Sequence, residues 1–273
     1  MEQEIEQHLH DYEDVIGQSW AETSANEVIK RLAKGEELPK ILDSLPGFAE
    51  SFDQELDTID CSDGRVLDGR KIGIAGSGLL LSPEERAKFI ALYKGKTKKV
   101  TAHADCGAAA KKFAELQSVS PEQIPAGVTT ADDYGVVCAQ KLAEELGAEY
   151  EFLEREGMAS PNHNERALVL DQTGRFDSGS LEGFPPHFVC TGAGLGFSEE
   201  YMKEELETLT GIALGDHGFG QRLSEDKPFY IMVAANDYNN LAHWEKIAKE
   251  ATQKFGARVV VDGFVKPGDP ENN

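Results

Sequence analysis

From residue 57 onward the sequence alternates short apolar runs with longer stretches of helical character, and this alternation restricts the fold more than any other feature. The predicted strands are residues 56–61, 71–75, 99–103, 148–153, 167–170, 187–191, 229–235 and 258–261. Between them lie predicted helices at 83–93, 106–116, 131–146, 198–209 and 241–255. Ser82 supplies an N-cap with Pro83 at the first helical position, and Gly147 closes the helix over 131–146. Apolar strands alternating with helices predict an α/β fold with a central, mostly parallel β-sheet flanked by helices. Residues 154–187 and 211–228, rich in Gly, Pro, Asn and Asp, read as long loops, and no internal repeat is visible.

Residues 1–50 have a different texture. They read as polar helix, with Ser24 and Glu27 spaced as a capping box ahead of Val28, and with Pro39 and Pro46-Gly47 as punctuation. Too few apolar positions are present for a core of their own. They are expected to form an N-terminal helical arm, packed on the main domain (51–273) or on a second subunit.

Charge narrows the class of partners. The chain carries 27 Lys and Arg against 49 Asp and Glu, a net −22, which disfavours nucleic acid and anionic membrane surfaces, since both are bound through clustered basic residues. The first residues show neither a basic n-region nor an apolar h-region. The longest mostly apolar stretch, 72–81, contains three glycines and a serine and is too short to span a bilayer. A cytoplasmic location is expected. Four cysteines make no disulfide framework in a chain of this length, and in a reducing compartment they serve as metal ligands or packed thiols.

Two short strings carry the chemistry. In Cys61-Ser-Asp63-Gly-Arg65, at the end of the first predicted strand, a continued extended chain puts Cys61, Asp63 and Arg65 on one side. In His103-Ala-Asp-Cys106-Gly107, a strand passes into a helix, and a Cys at a helix N-terminus is expected to have a lowered thiol pKa. The carboxyl ends of parallel strands share one edge, so Cys61, His103 and Cys106 are expected to meet there. Two thiolates and one imidazole suit Zn²⁺ and leave a fourth position, for which Asp63 is the competitor.

Cys-x-Asp-x-Arg followed by His-x-x-Cys-Gly resembles the β-class carbonic anhydrases over roughly residues 55–115. The resemblance implies that fold and reversible, zinc-dependent hydration of CO₂ to bicarbonate by zinc-bound hydroxide. It assigns Cys61, His103 and Cys106 as zinc ligands, with Asp63 and Arg65 as the dyad that orients the hydroxide. Substrate would rest against Ile72, Ile74, Ala75 and Gly107. It also implies a homodimer or higher homo-oligomer in which the arms embrace the neighbour. Of the family's Arg-Asn-Ala-Gly-Asn string only Ala75-Gly76 is kept, the linker from Cys61 to His103 is short, and residues 190–273 read as an added αβ extension. Because two thiolates cancel the metal's formal charge, activity is expected at more alkaline pH than in a three-histidine site. The same site could serve a hydrolase of a CO₂-like molecule (COS or CS₂), or a non-catalytic, zinc-stabilised scaffold in which Asp63 closes the metal.

The remaining candidates read as structural. Cys138 and Cys190 are expected in the core, and His187 is a structural strand residue. His163 and His217 read as solvated loop histidines. Glu199, Glu200, Glu204, Glu205 and Glu207 read as a solvated helix face, and Gly192 to Gly196 as a strand-to-helix turn.

Overall fold

The computed structural model describes residues 2–52, 55–66, 71–158, 160, 163–192, 195–215, 219–220 and 222–268, with side chains from Asp14 on. The chain opens with α1 (Glu2–Ala25), α2 (Glu27–Ala33) and α3 (Leu38–Leu42). A first α/β unit follows: β1 (Thr58–Asp60), β2 (Lys71–Gly73), α4 (Pro83–Tyr93), β3 (Lys99–His103), α5 (Gly107–Val119), α6 (Ala131–Leu146) and β4 (Glu149–Leu153). The second contains β5 (Ala167–Asp171), β6 (His187–Thr191), α7 (Glu199–Ala213), β7 (Phe229–Ala235), α8 (Tyr238–Thr252) and β8 (Val259–Val265). No described helix is long and apolar enough to cross a membrane.

All ladders between these strands are parallel, and they make two four-stranded sheets. The expected α/β architecture of parallel strands flanked by helices is present, its strands ordered β2-β1-β3-β4 and β6-β5-β7-β8. These two orders are the same order. Each unit runs centre, edge, back across the centre, then outward, so the structure contains the repeat that the sequence hides. Local details recur as well. Ser82 caps α4 and Ser198 caps α7, and Cys106 and Asp237 are the N-cap residues that follow β3 and β7. Gly64-Arg65 after β1 answers Gly174-Arg175 after β5.

The units meet along their equivalent edges. The Val189 N–H donates to the Ser62 carbonyl (2.9 Å), and the Gly73 N–H donates to Thr191 Oγ1 (3.1 Å). A Cβ on Gly73 would lie 2.5 Å from the Val189 carbonyl oxygen, so this contact requires glycine. A shared core then crosses the boundary, joining Ile59, Val100 and Leu142 of the first unit to Leu168, Phe188 and Ile231 of the second.

Period-two alternation assigns the faces of the second sheet. Leu168, Leu170, Ile231 and Val233 point into the shared core, while Ala167, Val169, Tyr230 and Met232 face the arm. Val28, Ile29, Leu38, Ile41 and Leu42 of the arm cover that second face together with Phe48 and Phe52. Each such side chain contributes roughly 1.5–3 kcal/mol on burial. The exposed pairs Lys30–Glu27 and Lys40–Glu37 add little beside this, because solvent screens them. Apolar burial therefore holds the arm, and it does so against the arm's own chain.

Candidate metal centre

Cys61 leaves the end of β1, His103 is the last residue of β3, and Cys106 sits at the N-cap of α5. Because β1 and β3 are parallel neighbours, both strands deliver their carboxyl ends to one place. There the two Sγ atoms lie 3.8 Å apart, and these atoms and a ring nitrogen of His103 all fall within 4.8 Å of one another. All three side chains are buried.

The donor set fits a tetrahedral ion. Two sulfurs at the usual zinc–sulfur distance of about 2.3 Å, separated by a tetrahedral angle, would themselves stand about 3.8 Å apart. His103 Nδ1 lies 2.9 Å from the Ala104 carbonyl, which fixes Nδ1 as the protonated nitrogen. Its Nε2 is buried with no hydrogen-bond partner, placed to bind an ion once its proton has left. Three residues of a tetrahedral set are in place.

Backbone strain shapes the turns around them. Gly76 (φ 58°) and Ser77 (φ 55°) are left-handed, ending β2 at Gly73 rather than at Ala75. That turn aims the Gly76 N–H at Cys61 Sγ (3.2 Å). Asp105 (φ 56°) is also left-handed, a conformation Asp tolerates better than most residues. Its N–H donates to Asp132 Oδ1 (3.1 Å), and its side chain pairs with Arg155.

The chain after Cys61 does not stay extended. Residues Gly64–Val66 form a 3-10 turn, and a Cβ on Gly64 would lie 2.4 Å from the His187 carbonyl oxygen. The second unit crowds this segment and folds it back. Asp63 and Arg65 still meet. Arg65 donates its backbone N–H to Asp63 Oδ1 (2.9 Å), Nε to both oxygens (3.1 Å each) and a terminal nitrogen to Oδ2 (2.7 Å). Another Arg65 bond reaches the Asp105 carbonyl (3.3 Å), tying the pair to the Cys106 turn. Asp63 Oδ2 stands 3.7 Å from His103 Nε2.

Electrostatics follow from burial. Cys61 is held low by the hydrogen bond from Cys106 and by His103, so it is the thiolate of the pair. Cys106 is pushed up by that same hydrogen bond and by burial. Its helix N-terminus does not lower its pKa as expected, because a buried thiolate 3.8 Å away outweighs the dipole. Burial disfavours the His103 cation, yet the Cys61 thiolate raises its pKa to about 9. A metal ion here would take the place of these protons. Burial opposes ionisation of Asp63, but His163, His103 and the Arg65 guanidinium outweigh it and hold the carboxyl far below its usual range.

Of the expected substrate-pocket residues, Gly107 follows Cys106 and Ala75 precedes the Gly76 whose N–H meets Cys61 Sγ, while Ile72, Ile74 and Ala75 are all packed in the shared core. A Cβ on Gly107 would lie 3.2 Å from Ile212 of α7. His163 is not a solvated loop histidine. It is buried 3.3 Å from Glu165 and 3.7 Å from Asp63, a second group whose spacing could hold an ion. Arg65 already covers both oxygens of Asp63, so the group works as a charge network. A local signal exists for it: His163 and Glu165 alternate onto one side of the chain leading into β5. Lys71 is buried too, its Nζ donating to the Asp63 carbonyl (3.1 Å), and burial lowers its pKa.

Glu205 overturns the solvated-face reading of its helix. It is 1% exposed, and burial raises its carboxyl to about 7 against the pull of its hydrogen bonds. Cys190 is buried and Cys138 half-buried. His187 is buried and satisfied by Ser178 Oγ (2.6 Å) and the Pro185 carbonyl (2.7 Å). His217 and Gly194 lie outside the described residues. Comparison with protein-family models, curated proteins and solved structures finds no match to this chain.

Proposed function

We propose that the chain is a zinc enzyme that hydrates CO₂ reversibly to bicarbonate. One observation carries the proposal: the carboxylate nearest the Cys-His-Cys set is gripped by Arg65 through both oxygens, and so stands beside the ligands rather than among them. Three protein ligands with a fourth position left over are the pattern of catalytic zinc, whereas structural zinc is closed by a fourth residue.

A zinc ion held by Cys61, His103 and Cys106 would supply acidity, bringing the pKa of a water at its fourth position from 15.7 toward about 7. The remaining work falls to the chain. Asp63, kept ionised by His163, His103 and Arg65, would accept a hydrogen bond at that fourth position and so orient what binds there. The Asp105 carbonyl steadies the Arg65 fork from its other side. Ala75, beside the Gly76 N–H that reaches Cys61, and Gly107, next to Cys106, present little side-chain bulk near the sulfurs.

The test is stopped-flow CO₂ hydration on zinc-loaded protein from about pH 7 to about pH 9, where a water acidified less strongly than in a three-histidine site titrates. Activity should rise across that interval. Cys61→Ser, His103→Ala and Cys106→Ser should lose both zinc and activity. Asp63→Ala should keep stoichiometric zinc while the rate falls on the order of 10²-fold or more. A zinc-loaded wild type with no hydration above background would reject the proposal.

A further inference from the structure

The structure assigns Glu205, a residue of the second unit, to the metal centre of the first as a positioning residue for Cys61. The assignment rests on the metal-site part of the proposal above and is independent of the reaction catalysed there. Glu205 lies on the inward stripe of α7 with Tyr201, Met202, Leu206 and Leu209. Its Oε1 crosses the boundary between units and accepts from the Ala75 N–H (2.6 Å) and from Ser62 Oγ (3.2 Å).

These two donors bracket Cys61. Ser62 is its chain neighbour, and Ala75 precedes Gly76, whose N–H donates to Cys61 Sγ. A single buried carboxylate oxygen thus clamps the segment carrying the sulfur to the segment that hydrogen-bonds it. Among the described residues, the Ala75 N–H and the Ser62 hydroxyl find their acceptor in Glu205 alone. Without that oxygen both donors would be buried and unpaired, and the left-handed turn at Gly76 and Ser77 would lose one of its anchors. The clamp needs only an acceptor at Oε1.

α7 touches the centre at further points. Lys111 Nζ of α5 donates to Thr208 Oγ1 (2.8 Å), and Ile212 covers Gly107 next to Cys106. Glu205, Thr208 and Ile212 lie three and four residues apart, hence along one side of the helix. Second-sphere groups of this kind orient ligands, and their loss typically costs roughly 10- to 100-fold in metal affinity.

The experiment compares wild type, Glu205→Gln and Glu205→Leu as full-length, metal-loaded proteins. Zinc release to excess EDTA and the cobalt(II) absorption spectrum are the readouts, with the urea midpoint recorded alongside. Glutamine keeps the acceptor, and leucine keeps the bulk without it. Glu205→Leu should release zinc roughly 10- to 100-fold faster than wild type and shift the cobalt d–d bands, while Glu205→Gln restores both. Ser62→Ala, which removes one donor and leaves α7 untouched, should speed release in the same direction. Equal release rates and spectra for Glu205→Leu and wild type overturn the assignment. So do glutamine and leucine variants perturbed alike, and unchanged release in Ser62→Ala overturns the Ser62 contact. A wild type that takes up neither cobalt nor zinc overturns the metal site itself, a different failure from that of the clamp.

Discussion

Gly73 shows how much can turn on one missing methyl group. A Cβ there would approach the Val189 carbonyl oxygen to 2.5 Å and Val189 Cβ to 2.9 Å, and backbone on both sides would have to yield. Gly73→Ala should destabilise the protein by about 1–3 kcal/mol, the usual cost of forcing bulk into a packed interior. Gly157→Ala, where nothing lies within 4 Å, should stay within about 0.5 kcal/mol of wild type. Urea unfolding of the two variants decides the matter, and equal midpoints would remove the steric account. Single positions also divide what sequence can reveal from what it conceals. Cys61, His103 and Cys106 are legible because each sits at a strand end or a strand-to-helix junction, which local pattern identifies. Glu205 and His163 are not, because their partners are far away in the chain. Glu205 stands among four other glutamates, and only its register with Tyr201 and Leu209 separates it from the wet side of the helix.

Turns and caps explain where elements begin and end. β3, β6, β7, α4 and α6 coincide with the runs 99–103, 187–191, 229–235, 83–93 and 131–146, since apolar content and capping residues agree there. α8 starts three residues ahead of its predicted start at 241, because Asp237 accepts from the Asn239 and Asn240 N–H groups (2.9 Å each), an N-cap hidden in a polar stretch. The capping of α6 is the more consequential. Thr130 and Asp133 form a reciprocal capping box, and in the same turn Asp132 accepts from the Asp105 N–H. Thr130→Ala should therefore lower unfolding free energy by about 1 kcal/mol, with Thr130→Ser recovering most of it. A urea midpoint unchanged in the alanine variant would show that the box contributes nothing to α6.

Buried groups of the second unit shape how the whole molecule responds to acid. Burial holds His187 neutral with a pKa of about 4, despite the opposing Pro185 carbonyl. A base whose pKa is lower folded than unfolded contributes stability above roughly pH 6.5 and loses it as pH falls towards 4. Asp171 and Glu205, raised to about 6 and about 7, act in the opposite sense and weaken the fold as pH rises through those values. Total stability therefore mixes signs, and a difference isolates one. The gap in unfolding free energy between wild type and His187→Gln should shrink by on the order of 2 kcal/mol from pH 7 to pH 4.5. A gap that does not move with pH would mean that His187 is not buried neutral. The doubled strand order is invisible in the sequence for a related reason: what the halves share is connectivity and a few turn residues. Their ligand positions have diverged, with Asp237 at the cap where Cys106 stands. Since Glu205 and Ile212 reach the cysteines by covalent connection through the same polypeptide, their local concentration at the centre is set by the tether and not by how much protein is present. Dilution, which strips a shared wall from any site built between separate molecules, leaves this one intact.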